Sequence, residues 1–152
     1  MTIKRGVYAT AVTAVIGVGA LLAGCGGSDD NSTTTALSQS EFVAQATAIC
    51  KPVNQDIEAA AQKYLGGGRP TSEDFEQFAT AAVVPDTQKV IDGFKGLTPP
   101  SGQASAYAAL IDELQAVNDQ VKANPQLIAQ GNPYDHANQL AKQAGLDACA
   151  AD

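Results

Sequence analysis

The stretch SQSEFVAQATAICKPVNQDIEAAAQKYLGGG, from Ser38 to Gly68, is typical of one long amphipathic helix. Ser38 and Glu41 have the spacing of a capping box, which predicts a helix start at Ser38 or Ser40. The three glycines at the end of the stretch predict where the helix stops. Between these signals, apolar or small side chains recur every three or four residues, the period of a helix face that packs on a core; they are Phe42, Ala46, Ile49, Val53, Ile57, Ala60 and Tyr64.

Pro52 interrupts this helical pattern. Proline has no N–H to donate to the carbonyl of Ala48, and its ring crowds that turn. We therefore expect either a kink near Cys50 or a break at which Pro52 opens a second segment.

A second helix is predicted after Pro70, with Thr71 or Ser72 as its cap. Acidic residues fill its first turn, where they favour the positive end of the helix dipole. Pro85 predicts a second kink, and the sequence TPPSG at residues 98–102 ends the helix and forms a stiff connection. Its predicted buried face consists of Phe75, Phe78, Ala82, Val90, Ile91, Phe94 and Leu97.

Two more helices are predicted, separated by proline-containing turns. The third runs from about Gln103 to Ala123, because Asn124-Pro125 pushes the chain out of helical geometry, and Gln126–Gln130 is expected to make one short turn. The fourth starts at Asn132-Pro133, with proline at the first helical position, and Gly145 ends it. The predicted buried faces are Tyr107, Leu110, Leu114, Val117 and Val121 in the third helix, and Tyr134, Ala137, Leu140 and Ala144 in the fourth.

Residues 38–152 therefore predict a single domain, an all-α, up-and-down bundle of about four helices. Strand-like alternation of useful length does not occur in the sequence. The domain is large enough to bury a core.

Residues 1–24 have the features of an export signal that precedes this domain. Lys4 and Arg5 are followed by an apolar run over residues 7–23, which is the order found in secretory signals. The alternative is a transmembrane helix, but spanning a bilayer takes about 20 mostly apolar residues. This run is shorter, and glycine and threonine dilute it.

Leu22-Ala23-Gly24-Cys25 resembles the lipobox of bacterial lipoproteins. The resemblance implies that the Cys25 thiol receives a diacylglyceryl group, that a peptidase cuts before it, and that fatty acyl chains such as palmitate anchor the protein. The alternative is an ordinary signal cut that leaves Cys25 as a free thiol. Residues 25–37 have almost no apolar content to bury, which predicts a flexible tether.

The charge of the chain limits its partners. It has 9 basic and 16 acidic residues, a net charge of −7, and removing Lys4 and Arg5 makes it more acidic. Nucleic-acid binding needs a basic face, so that class is not expected. We expect a protein held by lipid on the extracytoplasmic face of the cell membrane.

Cys50 and Cys149 remain once Cys25 is lipidated. Two cysteines in an exported domain most often form a disulfide, which is the pairing we expect. The alternative is a metal site or a reactive thiol. Two cysteines and one histidine fall short of the four ligands of a structural zinc site.

Three parts of the sequence together resemble a family of small actinobacterial lipoproteins and secreted proteins of unknown function. They are Phe42…Ala48-Ile49-Cys50…Asn54, the central Thr98-Pro99-Pro100, and the terminal Ala144-Gly145-Leu146…Cys149. The resemblance covers most of residues 41–150. The resemblance implies an α-helical, disulfide-tied extracytoplasmic domain, and it implies no particular activity.

The sequence predicts no catalytic, cofactor-binding or metal-binding residue. His136 is the only histidine, and at a helix start it is expected to be solvated or to act as a cap. The acidic groups Glu73-Asp74, Glu76 and Asp112-Glu113 lack calcium-loop spacing and predict solvated helix faces. Gly66–Gly68 with Arg69 predicts a turn between helices rather than a phosphate cradle.

Three classes of function remain. The expected one is a non-catalytic cell-envelope interaction module, which a surface apolar patch without an internal cavity would favour. The alternative is a carrier or receptor for a small apolar ligand, which a cavity of a few hundred Å³ lined by Phe75, Phe78, Tyr107 and Leu114 would favour. An enzyme is the third, to be recognised by carboxylates of raised pKa in a cleft.

Replacing the lipobox cysteine tests the anchor. Cys25→Ala removes the sulfur that forms the thioether, so we expect the protein in the medium or retained in unprocessed form. Membrane fractionation with intact-mass analysis measures this. Unchanged membrane retention of the mature-size variant would contradict lipidation at Cys25.

Overall fold

The computed structural model describes residues 37–150, and this part of the chain is a helical bundle without strands. The predicted all-α, disulfide-tied bundle is confirmed. The expected signal peptide, Cys25 and the tether before Leu37 lie outside the described residues. The elements are α1 (Gln39–Leu65), α2 (Ser72–Phe78), a π turn (Ala79–Val83), α3 (Val84–Lys95), α4 (Ala104–Ala123), α5 (Leu127–Gln130), α6 (Asp135–Gln143) and a 3₁₀ turn (Asp147–Cys149).

Capping boxes start both of the first two helices; the sequence predicted the first box and, for the second helix, only that Thr71 or Ser72 is the cap. Ser38 Oγ accepts the N–H of Glu41 at 3.4 Å, and the Glu41 carboxylate accepts the N–H of Ser38 at 3.0 Å. Thr71 and Asp74 make the same reciprocal pair. Hydrogen bonds from the hydroxyl and backbone of Ser38 lower the pKa of Glu41, and those from the backbone and hydroxyl of Thr71 lower the pKa of Asp74.

Pro52 does not break the first helix. α1 continues through it as one element of 27 residues, so the expected second segment is not formed. Pro52 and Ala48 both lie on the exposed side of α1. The carbonyl that proline leaves without an N–H is therefore on the exposed side of the helix, where an unpaired backbone group costs less than in the core.

Pro85 is accommodated differently, by a π turn that precedes it. The N–H of Val84 donates to the carbonyl of Ala79, five residues earlier, so this turn holds one residue more than an α turn. Ala79 and Val83, which the predicted buried face did not include, are buried beside the predicted Phe78 and Ala82.

The end of the fourth predicted helix is as expected, but its start is not. Gly145 has φ +72°, and the N–H groups of Gly145 and Leu146 close the last turn on Lys142 and Ala141. The prediction that Pro133 is the first helical residue is wrong, because α6 begins at Asp135. The side chain of Asn132 accepts the N–H of Tyr134 at 3.0 Å and holds a turn there instead.

The helices pack in a ring. α1 contacts α3, α3 contacts α4, and α4 contacts α6, while the 3₁₀ turn contacts both α6 and α1. No helix among residues 37–150 is long and apolar enough to cross a membrane. The largest core cluster joins most of the predicted stripes, and its members are Phe42, Ala46, Cys50, Phe94, Tyr107, Leu110, Ala137, Ala141, Ala144 and Leu146.

The disulfide between Cys50 and Cys149 closes this ring. Their Cα atoms are 5.1 Å apart, within the range for disulfides, and Cys50 is buried in the core. Asn54, one turn further along α1, donates from Nδ2 to the carbonyl of Ala148 at 3.4 Å. The crosslink and this hydrogen bond hold the 3₁₀ turn against α1.

Removing the crosslink is expected to lower stability strongly. Cys149→Ala opens a covalent loop with a sequence separation of 99 residues, and losing a native disulfide costs about 2–5 kcal/mol of unfolding free energy. Denaturation by guanidinium under non-reducing conditions measures the loss. Wild type and Cys149→Ala are compared in the same Cys25→Ser background, so that neither chain is lipidated and only the Cys50–Cys149 bond differs. Equal midpoints for Cys149→Ala and wild type would contradict the role given to the disulfide.

Candidate functional site

A pocket of about 400 Å³ lies within the ring of helices. Its walls come from every element of the domain: the six helices, the π turn, the chain between α5 and α6, and the last residue of the 3₁₀ turn. Cavities of this size are typical of small-molecule sites. The pocket is the candidate functional site.

The helical walls of the pocket are mostly apolar. α1 contributes Val53 and Ile57, and α3 contributes Val90 and Phe94. Each of these pairs is separated by one helical turn, so both members face the same way. The opposite walls are lined by Leu110, Leu114, Ala137 and Ala141.

No Asp, Glu, Lys, Arg or His from residues 37–150 lines the pocket. Its polar lining residues are neutral amides and hydroxyls. A charged ligand group would lose its hydration here without gaining an opposite charge, which is costly. The lining therefore favours a neutral ligand.

A hydrogen-bonded network runs behind one wall of the pocket. Asn118 is 3% exposed, and its Nδ2 donates to the carbonyl of Val84 at 3.2 Å. The hydroxyl of Tyr134, a lining residue, donates to Asn118 Oδ1 at 3.0 Å. Burial raises the pKa of Tyr134 to about 12, while a hydrogen bond with Thr87 acts in the opposite direction. Tyr134 is therefore neutral at physiological pH.

The π turn shapes the same region. Phe78, which precedes it, and Val83, its last residue, both line the pocket. Thr87, one turn later, is buried and lines it too. The wider turn thus sets which side chains of the second helical run reach the pocket.

Two of the four residues expected around a cavity are found there. Phe78 and Leu114 line the pocket, whereas Phe75 and Tyr107 do not. Tyr107 is buried. The centroid of its ring lies 4.9 Å from that of Phe42, and its hydroxyl donates to the carbonyl of Phe94 at 3.0 Å. Burial raises the pKa of Tyr107 strongly. Tyr107 supports the pocket indirectly, because its hydroxyl holds the backbone of Phe94, whose side chain forms part of the wall.

Of the disulfide and the histidine, only the disulfide lies at the pocket. Cys149 lines the pocket as half of the disulfide. His136 is on the outside, 64% exposed at its side chain, and its Nδ1 lies 3.1 Å from a carboxylate oxygen of Glu113. Among residues 37–150 no three His, Cys, Asp or Glu side chains are grouped as metal ligands.

The acidic helix faces and the glycine turn have local contacts. Glu73 accepts a hydrogen bond from Gln77 at 3.2 Å, and Asp74 belongs to the second capping box. Glu76 and Asp112 are exposed. Gly66 caps α1, and Gly68 has φ +121°, which a turn requires.

Sequence reasoning missed Asn118, Thr87 and Asn54 as residues of the site. Asn118 follows Val117 of the predicted buried stripe of α4, and its place in the sequence does not indicate that its own side chain is buried and hydrogen-bonded. Its partners are 34 and 16 residues away along the chain. A polar residue beside a buried stripe was the only available signal, and it is a weak one.

No protein-family model, curated protein or solved structure matches this chain. The resemblance to actinobacterial lipoproteins stays a prediction. The geometry of the pocket is therefore the basis for proposing a function.

The buried tyrosines predict loss of stability at high pH. The unfolded chain releases a phenol proton near the ordinary pKa of 10.0, but folded Tyr134 holds it until about pH 12. This contribution is complete below about pH 10 and is lost as pH rises toward about 12. Chemical denaturation at about pH 9 and about pH 11, with tyrosinate absorbance, measures it.

Tyr134→Phe isolates this effect from other groups. Asp86 raises the pKa of Lys89 through a hydrogen bond, and that shift also lowers stability as pH rises. The variant keeps Lys89 and Asp86 but lacks the Tyr134 phenol, so its fall in stability between the two pH values is smaller. If the free energy of unfolding of Tyr134→Phe falls as much as that of wild type between the two pH values, the contribution assigned to Tyr134 is contradicted.

Proposed function

We propose that this protein is a non-catalytic carrier or receptor for a small, neutral, mostly apolar ligand, held in the pocket between the helices. The observation that carries the proposal is the pocket itself, about 400 Å³ in volume, with an apolar lining that contains no charged side chain from the described residues. Sites for small molecules combine a concave apolar surface with a few placed polar groups. Tyr134 and Thr87 are such groups here.

The proposal includes a lipid anchor. The lipobox at Leu22-Ala23-Gly24-Cys25 supports attachment to the extracytoplasmic face of the cell membrane. The tether of residues 25–37 has a coil-like composition, and a coil of about a dozen residues spans about 20 Å. Such a tether keeps the binding domain near the bilayer, which dissolves the same class of apolar molecule.

The pocket favours ligand binding over a surface-only interaction role. A cell-envelope interaction module needs an apolar patch but no cavity, whereas a carrier needs the cavity. An envelope protein remains a partner in this proposal, as the protein that delivers the ligand or receives it. Acid–base catalysis has no support from the pocket, because no carboxylate of residues 37–150 lines it.

Binding of a neutral dye tests the proposal. Phenylnaphthylamine is apolar, uncharged and fluorescent in apolar surroundings, and its sulfonated analogue differs by one negative charge. We expect saturable binding of phenylnaphthylamine to the purified, oxidised protein at one site. The sulfonate is expected to bind at least about tenfold more weakly, about 1.4 kcal/mol, because nothing in the pocket compensates its charge.

Two matched tryptophan variants locate the binding site. Ile128 and Ile111 are both partly buried, but only Ile128 lines the pocket. Ile128→Trp fills the pocket and is expected to weaken dye binding by about tenfold or more, whereas Ile111→Trp leaves it unchanged. Circular dichroism checks that both variants fold. Absence of saturable binding by the wild type, or equal binding by the two variants, would contradict the proposal.

A further inference from the structure

The orientation of Asn118 determines the polarity of the wall behind the pocket. A backbone carbonyl accepts hydrogen bonds and cannot donate. One terminal atom of the Asn118 amide lies 3.2 Å from the carbonyl oxygen of Val84, so that atom must be the nitrogen of the NH₂ group. Gln88 Oε1, at 3.5 Å, is a second acceptor on that side. The carbonyl oxygen of the Asn118 side chain therefore faces the other way, toward Tyr134.

The direction of the next hydrogen bond follows from this orientation. Asn118 Oδ1 has no hydrogen, so the hydroxyl of Tyr134 must be the donor in their 3.0 Å contact. A phenol has one hydrogen and two acceptor lone pairs. The hydrogen of Tyr134 is already donated to Asn118, so Tyr134 can only accept a hydrogen bond from any further partner.

Thr87 extends this acceptor surface. It is 8% exposed and lines the pocket, as does Tyr134. A threonine hydroxyl that donates toward the phenol oxygen keeps its own lone pairs as acceptors. The hydroxyl hydrogens of Tyr134 and Thr87 are thus both engaged within the protein, and their oxygens are left as acceptors.

We infer that the pocket selects a neutral ligand with a hydroxyl or N–H group on an otherwise apolar body, and that Tyr134 and Thr87 accept the hydrogen bond from this group. The inference rests on the proposed function and specifies the ligand class: alcohols, phenols and uncharged diaryl secondary amines bind better than the corresponding ethers, diaryl tertiary amines and carboxylates. An ether has no hydrogen to donate to the oxygens of Tyr134 and Thr87. A carboxylate adds a charge that no lining residue of the described chain balances.

Matched competitors test the selection. Naphthol and methoxynaphthalene share an aromatic body and differ in one O–H hydrogen. Each displaces phenylnaphthylamine from the purified, oxidised protein, and the concentration that displaces half of the dye gives the relative affinity. A net hydrogen bond in the pocket predicts that naphthol binds about three- to tenfold more tightly.

Hydroxyl-deletion variants assign the preference to residues. Tyr134→Phe and Thr87→Val keep the shape of the side chain and are expected to reduce the naphthol preference to near parity, with little change for methoxynaphthalene. Tyr64→Phe is the control, because Tyr64 does not line the pocket, and it keeps the full preference. Thermal unfolding with circular dichroism shows whether each variant folds. Thr87→Val serves as the second test if Tyr134→Phe, which leaves Asn118 Oδ1 without a donor, fails to fold.

The outcomes separate this inference from the proposed function. Dye binding with a naphthol preference that both pocket variants lose supports the inference. Equal displacement by the two competitors, or a preference that persists in both variants, overturns the inference and leaves the proposed function intact. Failure of the folded wild type to bind the dye overturns both.

Discussion

The covalent bond between Cys50 and Cys149 is the constraint on which the architecture depends. The helices contact in the order α1, α3, α4 and α6, and the 3₁₀ turn at Cys149 completes the ring against α1. Leu146, fully buried just before that turn, anchors the same segment by packing. Because Cys149 also lines the pocket, the bond that closes the ring supplies part of the wall around the candidate ligand.

Local chemistry made most of the fold predictable. The Ser38 and Thr71 caps, the Gly145 stop and the helical apolar stripes are decided by residues close together in sequence, and they lie where expected. The prolines were harder to interpret. A missing N–H matters less on the exposed side of a helix, and that side is known only from the tertiary packing.

The pocket was less predictable than the bundle. The sequence predicts Leu110, Leu114 and Phe94 only as buried residues. An apolar stripe can either fill the core or line a cavity, and which of the two occurs depends on side-chain packing across several helices. Asn118 and Tyr134 come together from different helical segments. No spacing within either segment predicts their contact, whereas the capping partners Ser38 and Glu41 are three residues apart.

The π turn at Ala79–Val83 makes the second helical run sensitive to the number of residues it contains. One residue turns a helix by about 100°. Because the π turn holds one residue more than an α turn, a homologue that lacks one residue here closes an ordinary turn and keeps its residue corresponding to Thr87 facing the cavity. A homologue of the same length that forms an α turn here turns that residue about 100° away and presents a different face to the ligand.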